Sequence, residues 1–100
     1  MKTYIVDIDG TICYHRSKSS HYSQARPMKD RIKFFNQLHD AGHKIIYWTA
    51  RGSVSGKDYR EHTLNQLKSW DCKFHDLMCG DQKPHFDLVI DDKAKRIEEL

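Results

Sequence analysis

Tyr4-Ile5-Val6-Asp7-Ile8-Asp9-Gly10-Thr11 is the stretch around which the chain is organised. Tyr4-Ile5-Val6 has the apolar, β-branched character of a buried strand. Side chains alternate along a strand, so Asp7 and Asp9 are expected on one side, where the strand ends. Gly10 lets the backbone turn away. Two adjacent carboxylates repel, and burying either of them charged and unpaired is costly. A divalent cation is the simplest group that keeps both ionised, and hard oxygen donors favour Mg²⁺ over zinc. Asp and Gly are also ordinary turn residues, so the tetrapeptide alone fits a plain strand-to-turn transition equally well. A calcium-binding helix–loop–helix is excluded. Counted from Asp7, its sixth and twelfth positions call for Gly and Glu, and the chain has Ile12 and Lys18.

The 100 residues make one expected domain, 1–100, with room for a single modest core. A hydrophobic fraction of 38% beside 31% charged residues is that of a globular protein. No apolar run approaches the ~20 residues of a membrane-spanning helix. The first apolar stretch is short and broken by Asp7, unlike a signal peptide, so a cytoplasmic location and no membrane partner are expected. Cys13, Cys72 and Cys79 are odd in number and form no Cys-x-x-Cys pair, which fits free thiols better than disulfides or zinc. A net charge of +3 suits anionic substrates without arguing for nucleic acid.

Beyond the first strand, residues 10–26 read as a basic, polar loop carrying His15, Arg16, Lys18, His21 and Arg26. Loops of that length in a small domain often serve as lids, and this one follows Asp9 directly. Arg26-Pro27 opens a helix whose Met28, Ile32, Phe35 and Leu38 form a core-facing stripe, closed by Gly42. Lys44 to Trp48 is the second strand, running into Thr49-Ala50-Arg51-Gly52. A second helix is expected over roughly 58–70, capped by Asp58 or Ser55, with Leu64, Leu67 and Trp70 inward. Phe74 to Met78 and Phe86 to Ile90 are the third and fourth strands, and Ala94 to Leu100 a final short helix.

Strands alternating with helices imply an α/β fold: a three-layer, Rossmann-like parallel sheet of about four strands with helices on both faces. Ligands of such sheets bind beyond the carboxyl ends of the strands. Those ends carry Asp7 and Asp9, Thr49 and Arg51, and Asp91 and Asp92, while Lys83 precedes the last strand. Four carboxylates, a hydroxyl and a lysine make a site for a phosphate and a divalent metal. Uncatalysed phosphate-monoester hydrolysis is among the slowest reactions in water, so charge stabilisation by metal and cation has much to supply. An ionised Asp can attack phosphorus and form an aspartyl phosphate. A second carboxylate can protonate the leaving oxygen and then deprotonate water.

Asp7-Ile8-Asp9-Gly10-Thr11, Thr49, Lys83 and Asp91-Asp92 resemble the four ordered motifs of the haloacid dehalogenase superfamily of phosphohydrolases. The resemblance spans nearly the whole chain. It implies Asp7 as nucleophile and Asp9 as general acid/base, with the Asp9 backbone carbonyl on Mg²⁺. It implies Thr49, with Ala50 and Arg51 beside it, as the phosphoryl-binding segment. Lys83 would neutralise the phospho-intermediate, and the metal would be held by Asp7, Asp9, Asp91 and Asp92. Asp rather than Thr at position 9 looks like the phosphatase and mutase branches rather than the ion pumps. The runs Tyr47-Trp48-Thr49-Ala50-Arg51-Gly52, Thr63-x-x-Gln66-Leu67 and Ile90-Asp91-Asp92-Lys93 are similar to small bacterial and phage members. Some of those are associated with polysaccharide biosynthesis.

About 38 residues separate the first two motifs and about 33 the next two, which leaves no room for a cap domain. A capless site implies either a large phosphorylated substrate or closure by a neighbouring subunit of a homo-oligomer. The eight residues after Asp92 hold no fifth strand, which weighs against stability as a monomer. The expected activity is Mg²⁺-dependent phosphomonoester hydrolysis. The expected substrate is a sugar phosphate or nucleotide-sugar precursor, with a phosphorylated polynucleotide end as the alternative. Two other classes compete. A phosphoacceptor signalling domain places its acidic pair before a lone acceptor Asp in mid-chain, the reverse of the order here. A non-catalytic phosphate-binding protein would not need every motif residue. Cys13 and Trp48 are read as core.

Overall fold

The computed structural model describes residues 1–14, 25–49, 60–79 and 87–91. Eight elements lie among them: β1 (Thr3–Asp7), β2 (Cys13–Tyr14), β3 (Arg26–Pro27), α1 (Lys29–Asp40), β4 (Lys44–Thr49), α2 (Arg60–Ser69), β5 (Asp76–Cys79) and β6 (Leu88–Ile90). Four strands form one sheet in the order β5-β4-β1-β6, and every pairing in it is parallel. The chain therefore has the α/β, Rossmann-like architecture that its alternating pattern implies. β1 lies inside the sheet, with Asp7 opposite Trp48 on β4 and Val6 opposite Ile90 on β6.

Val6, Ile8, Ile45, Tyr47 and Leu77 pack with Ile32 and Phe35 of α1 and Leu67 of α2. The strand residues among them, Val6, Ile45, Tyr47 and Leu77, share one pleat direction, so both described helices cover the same face of the sheet. Fully burying one such side chain contributes about 1.5–3 kcal/mol. Ile5 and Ile46 are also buried but point to the other face, outside that cluster. The helix expected over 94–100 and the caps Ser55 and Asp58 lie outside the described residues. On α2 the inward residues are Thr63 and Leu67, while Leu64 and Trp70 are half-buried. Thr63 escapes a hydrophobic pattern because its hydroxyl marks it as polar.

Arg26-Pro27, expected to open the first helix, instead form β3, and α1 starts at Lys29. The fourth strand, expected from Phe86, is described from Leu88 to Ile90. Two further stretches also differ from expectation. The supposed loop 10–26 has paired ends: Cys13 opposes Pro27 and Tyr14 opposes Arg26 in an antiparallel ribbon. Strands two residues long are too short to show a period in the sequence. The third strand begins at Asp76 rather than Phe74. Just before it, the His75 backbone N–H donates to Ile45 O at 2.8 Å, and His75 Nδ1 accepts from the Ile45 N–H at 3.1 Å. A side chain here takes the place of a carbonyl in the ladder, and regular pairing starts only beyond it.

Both helices end in the same way. After α1, Gly42 at φ +95° allows the Gly42 N–H to reach His39 O and the His43 N–H to reach Leu38 O, both at 3.1 Å. After α2, the Asp71 N–H reaches Lys68 O at 3.1 Å and the Cys72 N–H reaches Leu67 O at 3.0 Å. These paired bonds satisfy carbonyls that the helix leaves open. The second turn is also tied to the first helix. Asn36 Nδ2 donates to Asp71 O at 2.9 Å, and Asn36 Oδ1 accepts from the Lys73 N–H at 2.8 Å. Lys73 Nζ in turn pairs with Asp40 at 2.9 Å and holds that carboxyl below its usual range.

Asp71 carries out with a side chain, at φ +59°, what Gly42 does without one. Asp71→Gly removes the Cβ clash and is expected to stabilise the fold by about 0.5–1 kcal/mol, read as a higher denaturant midpoint at unchanged slope. An unchanged or lower midpoint would show that the Asp71 side chain contributes more than its backbone costs.

Burial also shapes the response to alkali. It pushes the Cys72 thiol from 9.0 up to about 12 and drives the Tyr47 phenol well above its ordinary 10.0. Both groups are protonated in either state at neutral pH and contribute no pH dependence there. Above pH 9 the unfolded thiol loses its proton while the folded one keeps it, so the unfolded state binds fewer protons and stability falls. Unfolding free energy is expected to be flat from pH 7 to 9 and to decline from 9 to about 12, with a shallower decline in Cys72→Ala. An identical slope in the variant would remove Cys72 as its source.

Candidate active site

Three described candidate residues meet at one edge of the sheet. β1 ends at Asp7, β4 ends at Thr49, and Asp91 directly follows β6. β1 lies between the other two strands, so Thr49 and Asp91 flank Asp7, each one strand spacing of about 4.8 Å to the side. Extending the register by one residue sets Asp91 level with Asp7 and Thr49 level with Ile8. The chain leaves β1 for β4 on one side and returns as β6 on the other. That change of direction opens a crevice beyond the strand ends, where ligands of open α/β sheets bind.

The turn after β1 sets the carboxylates. Strand alternation stops at Asp7, so Asp9 owes its position to the turn rather than to the period of two. Gly10 sits at φ +86°, and its N–H donates to Cys13 O at 2.9 Å. The Thr11 and Ile12 N–H groups both donate to Ile8 O, at 3.1 and 3.0 Å. Thr11 Oγ1 donates to Asp7 Oδ2 at 3.1 Å. Cys13 Sγ lies 3.5 Å from Asp9 Oδ1 and 3.6 Å from Ile8 O. Each carboxylate is thus met by a side-chain donor four residues further on. From α1, Arg31 Nη1 donates to Thr11 O at 3.0 Å and reaches Gly10 O at 3.5 Å, pinning the turn from outside. Asp7 and Asp9 are half-buried, Asp91 is exposed, and Thr49 is 2% exposed.

Thr11, Cys13 and Arg31 had no part in the site as the sequence presents it. Thr11 belongs to the motif, but its bond to Asp7 needs the turn. Cys13 is in the core as expected, with 0% exposure, and it also touches Asp9. Arg31 lies on the polar side of α1, with nothing in the sequence to single it out. Ala50, Arg51, Lys83 and Asp92 lie outside the described residues.

The donor set suits a hard divalent cation: carboxylate oxygens of Asp7 and Asp91 at the ends of neighbouring strands, with the backbone carbonyl of Asp9 in the turn that follows β1. Among the described residues no three His, Cys, Asp or Glu side chains gather as a metal cluster. The expected set has only two described side chains that would count toward one, those of Asp7 and Asp91, since Asp9 would contribute a carbonyl.

Two clefts adjoin the turn. One, of about 320 Å³, is lined by Thr11, Asp30, Arg31, Phe34, Phe35 and Ile90. The other, of about 290 Å³, runs beneath the ribbon along Tyr14, Pro27, Met28 and the first residues of α1. Tyr14 and Phe34 are 60% and 56% exposed beside them. Among the described residues no helix is long and apolar enough to cross a membrane.

Residues 1–96 match the family described as the polynucleotide kinase phosphatase domain. The chain belongs to that family, within the haloacid dehalogenase superfamily of phosphatases. A structural-genomics target from Vibrio cholerae, known from its crystal structure, is similar to 99% of this chain and 86% of its own, at 26% identity and a TM-score of 0.71. No curated protein matches.

The turn needs Gly10 at φ +86°, a conformation that L side chains rarely adopt. Gly10→Ala forces a side chain into the left-handed region and is expected to cost about 1–2 kcal/mol, measured by chemical denaturation. A cost near zero would mean that the turn relaxes, and the spacing of Asp7 and Asp9 with it.

Proposed function

We propose that the protein is a Mg²⁺-dependent phosphomonoesterase working through an aspartyl phosphate on Asp7, with residues 1–100 as a single domain. The observation that carries this reading is the meeting of Asp7, Thr49 and Asp91 at adjacent ends of a parallel sheet in a phosphatase-family chain. An Asp7 carboxylate oxygen attacks phosphorus, and the bond from phosphorus to the ester oxygen breaks. Asp9 gives its proton to that oxygen, and the alcohol leaves. Asp9 then takes a proton from water as the water oxygen attacks phosphorus, and the bond to Asp7 breaks to release phosphate. Asp7, Asp91, Asp92 and the Asp9 carbonyl would hold Mg²⁺, which when bound would supply charge neutralisation at the phosphoryl oxygens. Thr49 with Ala50 and Arg51 binds those oxygens, and Lys83 offsets the charge of the intermediate.

For the substrate, the name of the matching family favours a phosphorylated polynucleotide end over a sugar phosphate. The surface beside the turn supports this. Exposed Tyr14 and Phe34 line the two clefts with exposed Lys29, Arg31 and Asp30. Aromatic faces among cations are what single strands use for stacking and backbone contact. An uncapped site admits a polymer end without a lid. A cytoplasmic location belongs to the same proposal, and closure by a second subunit is the alternative that a small substrate would call for.

The test is phosphate release from 3′- and 5′-phosphorylated oligonucleotides, mononucleotides and sugar phosphates, with Mg²⁺ and with chelator. Release is expected to need the metal and to fall more than about 10³-fold in Asp7→Asn. KM for the oligonucleotide should rise steeply with salt, while that for a mononucleotide barely moves. Undiminished release in Asp7→Asn would overturn the mechanism. A preference for sugar phosphates with no salt effect would overturn the polynucleotide assignment alone.

A further inference from the structure

Cys13 is fully buried, and the thiol has work beyond packing. Its sulfur lies 3.5 Å from Asp9 Oδ1 and 3.6 Å from Ile8 O, within reach of a sulfur-donor hydrogen bond. Its backbone is fixed against the same turn. Cys13 O accepts from the Gly10 N–H at 2.9 Å, Cys13 bridges Asp9, and Cys13 pairs with Pro27 across the ribbon. The Met28 N–H locks the preceding residue through Ile12 O at 2.7 Å. The sulfur therefore cannot drift away from Asp9 without disturbing both the turn and the ribbon. Thr11 stands in the same relation to Asp7, four residues on.

We propose that Cys13 is a positioning residue for the acid/base carboxylate. Its thiol engages Asp9 Oδ1 and sets the side-chain torsion at which that carboxyl group exchanges a proton with the leaving group. The inference rests on the phosphatase reading of Asp9. A carboxyl group free to rotate presents either oxygen at any angle, and proton transfer loses efficiency with misalignment well under 1 Å. Cys13 touches neither phosphorus nor the ester oxygen and acts only through Asp9.

Leaving groups separate this role from a purely structural one. A nitrophenolate departs without help, whereas a benzyl alkoxide needs a proton. kcat/KM reports on phosphoryl transfer to Asp7, the step at which that proton is delivered. The experiment compares 4-nitrophenyl phosphate with benzyl phosphate, which are similar in size, for the wild type, Asp9→Asn, Cys13→Ala and Cys13→Ser. Asp9→Asn should lose about 10²-fold or more on the benzyl ester relative to the nitrophenyl ester. Cys13→Ala should lose in the same direction by about tenfold, with KM little changed. Cys13→Ser keeps a donor and should recover most of that ratio. Both Cys13 variants give up the packing of the sulfur and should melt lower than the wild type, so the ester ratio follows the donor and not stability.

If Asp9→Asn discriminates between the esters and Cys13→Ala loses equally on both, Cys13 is core alone and this inference is overturned. If Ala and Ser shift the ratio alike, the thiol donor is irrelevant and the inference is again overturned. An Asp9→Asn that does not discriminate between the esters overturns the reading of Asp9 and this inference with it.

Discussion

Repulsion between two carboxylates at the end of an interior strand is the constraint on which the structure turns. Asp7 and Asp9 are half-buried, where like charges interact more strongly than in water. The fold answers with local donors. Thr11 meets Asp7, Cys13 meets Asp9, and Ile8 O collects two backbone N–H groups to hold the turn rigid. Arg31 then fixes the outer carbonyls from α1. Position is imposed on Asp9 by hydrogen bonds rather than by strand geometry, so the site is built from a turn laid on a sheet.

The opposite edge of the sheet is held together differently. Asp87 Oδ2 accepts from the Thr3 N–H, and the Asp87 N–H donates to Thr3 O at 2.8 Å. His43 Nδ1 accepts from the Lys2 N–H at 3.0 Å, and His75 Nδ1 from the Ile45 N–H. Side chains stand in for backbone partners where the ladder runs out. At the carboxyl ends the backbone ladder itself continues, pairing Asp7 with Trp48 and Thr49 with Cys79.

Much of this was legible in the sequence because apolar period and turn chemistry agree. Ile32, Phe35 and Leu38 mark α1, Gly42 ends it, and Lys44 to Trp48 can hardly be anything but a buried strand. Asp7, Thr49 and Asp91 gather because parallel strands deliver their ends to one edge. What stayed hidden depends on contacts between distant or very short segments. The ribbon of Cys13 and Tyr14 with Arg26 and Pro27 has no period to detect. Thr63 is buried although polar, and His75 replaces a carbonyl that no pattern reveals. The bond from Cys13 to Asp9 follows from the turn and not from spacing alone.

The strand order carries a consequence for the timing of assembly. β1 is made well before β6, one of its two neighbours in the sheet. The bond from Thr3 to Asp87 closes a span of 84 residues. Such long-range closure is entropically slow and is completed late. On the ribosome, β1, β4 and β5 can pair while one flank of β1 still lacks its partner, an open edge of the kind that invites association. Asp91 arrives with β6, so the strand that fills the open flank of β1 also brings in the last described carboxylate of the candidate site. A nascent chain with an incomplete sheet in this way also lacks part of that site.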